Sequence, residues 1–157
     1  GIARVGFGLV ENSGNKFSIV NYGTITTSAD KNDVERLKII HNKLTEIIEE
    51  YEPEHMAVEE LFFNKNVKTA IRVGQARGVI LLSGSELNLE VAEYTPLQVK
   101  QAVVGYGRAR KQQVQQMVKA LLNLESIPKS DDAADALAVS ICHGHCYSSK
   151  EKWGKIL

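Results

Sequence analysis

The chain has 157 residues, 43% of them hydrophobic, which is enough for one globular domain with a sizeable core. No apolar run approaches the roughly 18 residues of a membrane span, and no signal peptide is visible. Two cysteines are too few for a disulfide framework and fit a reducing cytoplasm, while a net charge of zero, from 19 basic and 19 acidic side chains, neither demands nor excludes a polyanionic partner.

In chain order, residues 4–10 and 17–27 read as strands joined by the turn Glu11-Asn12-Ser13-Gly14-Asn15, so together they form a hairpin. Residues 30–51 carry Val34, Leu37, Ile40, Leu44, Ile47, Ile48 and Tyr51 at helical spacing, and Pro53 closes that helix. Residues 55–61 make a short apolar strand ending in two carboxylates. Residues 67–87 read as a long helix interrupted by small residues, and 89–94 as another strand. Pro96 starts a short helix that ends at the turn Gly105-Tyr106-Gly107; helices over 111–124 and 130–143 follow. Strands alternating with helices after an opening hairpin define an α/β domain with a mixed sheet over residues 1–146, with a loose, flexible tail over 147–157.

The charges are segregated. Ten acids fall between residues 30 and 60; none lies in 61–85, which holds Lys65, Lys68, Arg72 and Arg77. None lies in 96–124 either, against Lys100, Arg108, Arg110, Lys111 and Lys119. If the fold gathers the basic stretches on one face they offer a polyanion a landing strip; otherwise they are two ordinary solvated faces.

The chemistry concentrates in Ser130-Asp131-Asp132-Ala133-Ala134-Asp135. Ser130 or Asp131 can cap the helix, and an acid in the first turn suits the helix dipole. Asp132 and Asp135 are three apart, so they share a helix face and repel unless something positive lies between them. Carboxylate oxygens are the donors that Mg²⁺ and Mn²⁺ prefer. Glu59 ends a short apolar strand, where α/β folds collect their ligands, and because side chains alternate along a strand Glu60 points the other way. Glu59, Asp132 and Asp135 thus make a candidate metal trio suited to phosphodiester cleavage, in which two metals orient a water and stabilise both oxygens of the displacement.

The blocks GIARVGFG, AVEELFFNKN, GQARGV, QVKQAVVGYG, KQQVQQMV and DAADALA, in that order, resemble the RuvC family of Holliday-junction resolvases from residue 1 to about 145. The resemblance implies a ribonuclease-H-like fold: a mixed sheet flanked by helices. It assigns the metal and catalytic carboxylates to Glu59, Asp132 and Asp135, base stacking to Phe62, and DNA binding and catalysis to Lys100 and Lys111. Lys65, Arg72, Arg77, Arg108 and Arg110 complete the expected DNA-binding set. It further implies Mg²⁺ or Mn²⁺, two per site, a homodimer, four-way junction DNA as substrate, and the branch-migration proteins RuvA and RuvB as partners in the bacterial cytoplasm at the nucleoid. The expected activity is paired, symmetric nicking that leaves 5′-phosphates. In the family an opening central strand ends in Gly-Ile-Asp-Pro-Gly, and its Asp bridges the metals; Gly1 aligns with the last of these residues. A short upstream strand ending in Asp-Pro is therefore expected, and without its carboxylate the polypeptide as given is expected to be inactive and poorly folded.

Other features are weaker. Cys142-His143-Gly144-His145-Cys146 invites zinc, but the spacing is compressed and no second ligand pair exists, so the two histidines are expected to decorate a helix end. His41 is expected at the surface. Gly6-Phe7-Gly8 is no phosphate loop because no helix follows it. Gly105-Tyr106-Gly107 is either a bare turn or a place where backbone approaches DNA. The small residues of 67–87 either pack on the sheet or form a dimer interface, which the resemblance favours. Two other functions compete: a catalytically inactive junction-binding protein on the same fold, and a ribonuclease-H-like nuclease acting on RNA or unbranched DNA.

Overall fold

Residues 2–14, 16–60 and 66–147 are described by a computed structural model, together with the backbone of residues 153–156. Alternation builds the opening hairpin. β1 (Arg4–Ser13) and β2 (Lys16–Thr26) pair antiparallel, and Gly14 takes the left-handed φ of 63° at the turn. The hairpin is longer than the sequence suggests, because Glu11 to Ser13 stay in register opposite Ser18 to Lys16 rather than entering the turn.

α1 (Asp33–Tyr51) begins later than its periodicity implies. Asn32 accepts from the Glu35 N–H at 2.9 Å while the Glu35 carboxylate accepts from the Asn32 N–H at 3.1 Å, a capping box that fixes the start. β3 (His55–Glu59) and β4 (Glu90–Tyr94) flank α2 (Val67–Glu86), which runs unbroken through Gly74 and Gly78. α3 (Pro96–Val104) has a Thr95 cap with Gln98 and ends on Gly105 at φ 102°. α4 (Lys111–Leu121) and α5 (Asp131–Tyr147) complete the helices, and α5 extends four residues past the expected end.

The sheet has the order β2-β1-β5-β3-β4, where β5 (Trp153–Ile156) runs antiparallel to β1 and parallel to β3. Tyr147, placed with a flexible tail on sequence grounds, ends α5, and the backbone of residues 153–156 is a strand. Helices cover both faces, as expected for a ribonuclease-H-like mixed sheet. Val5 and Leu9 of β1 and Met56 of β3 face α1, with Ile40, Leu44 and Ile48. Val10, Tyr94 and Ala57 face α3, α4 and α5, with Val99, Val118, Leu137 and Ile141. At the sheet's edge the Arg36 guanidinium donates to the Thr27 hydroxyl at 2.8 Å, and that hydroxyl donates to the Ile2 carbonyl at 2.6 Å.

β5 reaches only part of the way. It pairs with β1 at Val10 to Asn12 and with β3 at His55. Beyond that point Arg4 to Gly8 and Met56 to Glu59 line opposite sides of a cavity of about 240 Å³, closed by α2 on one face and α5 on the other.

Two glycines bring α5 onto this sheet. A Cβ on Gly6 would lie 2.0 Å from the Asp132 carbonyl oxygen, and one on Gly8 would lie 2.6 Å from a Leu137 methyl. The pair, two apart and so on one face of β1, allows helix and strand backbones to approach closely.

The expectation that His143 decorates a helix end is corrected. His143 is wholly buried: the Tyr94 hydroxyl meets its Nδ1 at 2.6 Å and His55 Nδ1 meets its Nε2 at 3.0 Å. His41 is partly buried, with Nδ1 2.9 Å from the Ser83 hydroxyl. Both ring nitrogens of His143 are thus matched inside the fold, by β4 and by β3.

Candidate active site

The N-terminus of α5 is held at one end of the cavity. The Ser130 hydroxyl accepts from the Ala133 N–H at 3.3 Å and lies 2.7 Å from the Thr24 hydroxyl, so Ser130 is the cap and ties α5 to β2. With Gly6 beneath it, this first turn sends Asp132 and Asp135 toward the cavity. Glu59 meets them from the end of β3. It shares its strand face with His55 and Ala57, the face that packs on α5. The Glu60 N–H donates to the Tyr94 carbonyl at 2.6 Å, which continues the β3–β4 ladder past the strand end. The structure thus brings all three predicted carboxylates to one cavity.

Their electrostatics reflect that crowding. Burial pushes the Glu59 carboxyl above its ordinary pKa, and the negative charge of Asp135 pushes it further; Lys100 and Lys111 pull the other way. Asp135 is also raised, first by desolvation from the protein around it and then by Asp131 and Asp132, with Lys111 opposing. Lys111 lies 3.2 Å from Asp131 and 3.8 Å from Asp135, and Asp135 is the main reason its own pKa is raised.

The charges of both lysines to which the resemblance assigned DNA binding and catalysis therefore bear on these carboxylates. Lys111 is the first residue of α4, and Lys100, on α3, is near enough for its charge to act on Glu59. The other predicted cations divide. Arg108 and Arg110 are exposed on the segment leading into α4. Arg77 lines the cavity wall but is paired with Glu93. Arg72 is not at the site: its guanidinium grips both oxygens of Asp33, at 2.6 and 3.0 Å, between α2 and α1. Phe62 and Lys65 lie outside the described residues.

Three carboxylates on two elements, mutually repelling and partly desolvated, are a donor set of the kind hard divalent cations need. Among the described residues, however, no three such groups are already drawn together as a ready ligand set. Lys111 supplies the counter-charge. Sequence reasoning missed three contributors: Asp131 as the partner of Lys111, Thr24 as the partner of Ser130, and the Gly6–Gly8 pair as the seat of α5. Only the last left a signal, two glycines on one face of a strand.

A mixed sheet flanked by helices, with acids converging from a strand end and a helix start, defines a ribonuclease-H-like nuclease. The comparisons specify it further. The family model "Crossover junction endodeoxyribonuclease RuvC" matches residues 1–143. The chain is 64% identical to the protein of that name from Halothermothrix orenii over 98% of this chain and 93% of the relative, and 59% identical to that from Alkaliphilus oremlandii over 92% and 88%. It superposes on Thermus thermophilus RuvC in complex with a Holliday junction substrate with a TM-score of 0.90 at 34% identity, over 98% of this chain and 94% of the other. The chain belongs to the RuvC family of crossover junction endodeoxyribonucleases, which are metal-dependent nucleases.

Proposed function

We propose that this protein resolves four-way DNA junctions by metal-dependent hydrolysis of one phosphodiester in each of two opposing strands, leaving 5′-phosphates. The convergence of Glu59, Asp132 and Asp135 on one cavity flanked by Lys100 and Lys111 is the observation that carries this reading. The three carboxylates would hold Mg²⁺ or Mn²⁺, two ions per site, which when bound activate water and stabilise charge on the oxygens of the displacement. Lys111 and Lys100 orient the scissile phosphate, and Arg108 and Arg110 hold the flanking backbone. Each cation paired with a phosphate adds affinity that salt weakens.

The protein acts as a homodimer through α2, whose exposed stripe of Val67, Ile71, Gly74, Gly78 and Leu82 recurs at three- and four-residue spacing. It works with RuvA and RuvB at the nucleoid. Among the described residues no helix is long and apolar enough to cross a membrane.

The test compares the native protein, as its source makes it, on labelled four-way junctions and linear duplex in Mg²⁺ or Mn²⁺. Paired nicks confined to the junction are expected; Glu59→Gln, Asp132→Asn and Asp135→Asn should bind without cutting. Junction binding with no cutting in either metal would favour the inactive binder, and equal cutting of linear duplex would favour a nuclease of other specificity.

A further inference from the structure

We infer that Asp131 is a positioning residue that keeps the Lys111 ammonium beside the carboxylate site when a metal ion claims Asp135. This rests on the site proposed above and adds a residue to it.

Asp131 opens α5 and Lys111 opens α4. Two side chains one turn apart on α4 grip the two oxygens of a single carboxylate: Lys111 Nζ lies 3.2 Å from Oδ2, and Gln115 Nε2 donates to Oδ1 at 3.1 Å. Asp132 and Asp135 line the cavity, whereas Asp131 is outside its lining and is directed at α4 instead. The 3.8 Å contact from Lys111 to Asp135 is the longer of its two.

These two contacts have different fates on metal binding. Were Asp135 to hold a divalent cation, that carboxylate's charge would be taken up and the ammonium repelled. A lysine with no other anchor would regain the rotamer freedom of its long side chain and swing into solvent. Asp131 is not engaged by the cation, so it holds Lys111 at the rim where a scissile phosphate arrives. The role is not one of stability. Both partners are more than half exposed, at 54% and 67%, and such pairs contribute little to folding. What the pair supplies is a fixed location for a positive charge, which a turnover measurement reads and a melting curve does not.

The experiment uses the native protein with saturating Mg²⁺. Asp131→Asn is expected to lower kcat on a four-way junction about twofold to fivefold, the range an exposed charge pair can supply. KM and the Mg²⁺ concentration for half activity should stay unchanged. Asp131→Glu should recover most of the loss, and in a Lys111→Met background Asp131→Asn should cost nothing further. A second readout needs no cutting: acylation of Lys111 by an amine reagent, followed by peptide mass spectrometry, should be slow in wild type with Mg²⁺ and several-fold faster in Asp131→Asn. Wild-type kcat in Asp131→Asn, an equal loss in the Lys111→Met background, a raised Mg²⁺ requirement, or unchanged acylation each overturns the inference. If the unsubstituted protein cuts no junction, the functional reading has failed instead, and the acylation result still decides the role of Asp131.

Discussion

Replacing Gly6 with alanine probes the junction of fold and chemistry most directly. The new methyl would sit 2.0 Å from the Asp132 carbonyl oxygen, 2.2 Å from its carbon and 2.8 Å from the Ala133 nitrogen, all backbone atoms that no rotamer change can move. The start of α5 must withdraw by roughly 1.4 Å to restore an ordinary contact of 3.4 Å. Overpacking of this kind costs about 1–3 kcal/mol, so thermal unfolding should drop by roughly 2–12 °C in a domain of this size. Activity should fall further, because Asp132 moves with its own backbone while Glu59 stays on β3. A misplacement near 1 Å costs on the order of a hundredfold in rate. Gly8→Ala is the control. Its closest contact is the Leu137 methyl at 2.6 Å, a side-chain end that can yield, so a comparable loss of stability should come with a smaller loss of cutting. Circular dichroism, melting curves and single-turnover cleavage would be run on both variants. A Gly6→Ala protein that folds and cuts at the wild-type rate would refute the claim that the helix seat sets the carboxylate geometry.

Three further outcomes are expected. Burial and the nearby His55 hold the His143 pKa down, to about 4 from the ordinary 6.5, so the unfolded chain takes up a proton that the folded one refuses as pH falls from 6.5 toward 4. That contribution is fully present above pH 6.5; urea unfolding should show about 2 kcal/mol lost between pH 7 and 5, and His143→Gln should lose correspondingly less. An equal pH effect in both proteins would remove His143 as the cause. Arg108→Ala and Arg110→Ala should each lower the slope of log affinity against log salt by about one on both junction and duplex DNA, read by titration at several salt concentrations. Ile71→Glu on the exposed face of α2 should shift the native protein from dimer to monomer in analytical ultracentrifugation, and an unchanged sedimentation coefficient would exclude α2 as the interface.

Much of this was legible in the sequence because periodicity and caps are local. Six of the seven apolar positions of α1 (Val34 is exposed), the Pro96 start of α3 and the six-residue spread of Ser130 to Asp135 all report on local helix geometry. The trio of carboxylates was readable for the same reason, since strand alternation separates Glu59 from Glu60 and helix spacing joins Asp132 to Asp135. What escaped were contacts between elements remote in sequence. Arg72 reads as a free cation until Asp33, 39 residues away, closes on it. His143 reads as a helix-end ornament until Tyr94 and His55 surround it, 49 and 88 residues distant. Gly6 and Gly8 look like a failed phosphate loop until α5 arrives more than a hundred residues later.

The same distances explain why the site is assembled as it is. Three acids gathered in one cavity destabilise the folded chain first by lost hydration and then by mutual repulsion, and the raised pKa values of Glu59 and Asp135 express that cost. The opposing forces come from elsewhere in the fold: Lys111 from α4, Lys100 from α3, and the Ser130–Thr24 bond that prevents the first turn of α5 from drifting away. On the proposed reading, a metal ion bound there would replace the lysine's attraction for Asp135 with a stronger one and leave the ammonium to a phosphate. A site that is strained without its cation and relieved with it binds that cation more strongly for having been held together by the surrounding helices. Loosening the Ser130–Thr24 tie should therefore weaken metal affinity before it unfolds the protein, whereas removing either competing lysine should strengthen it.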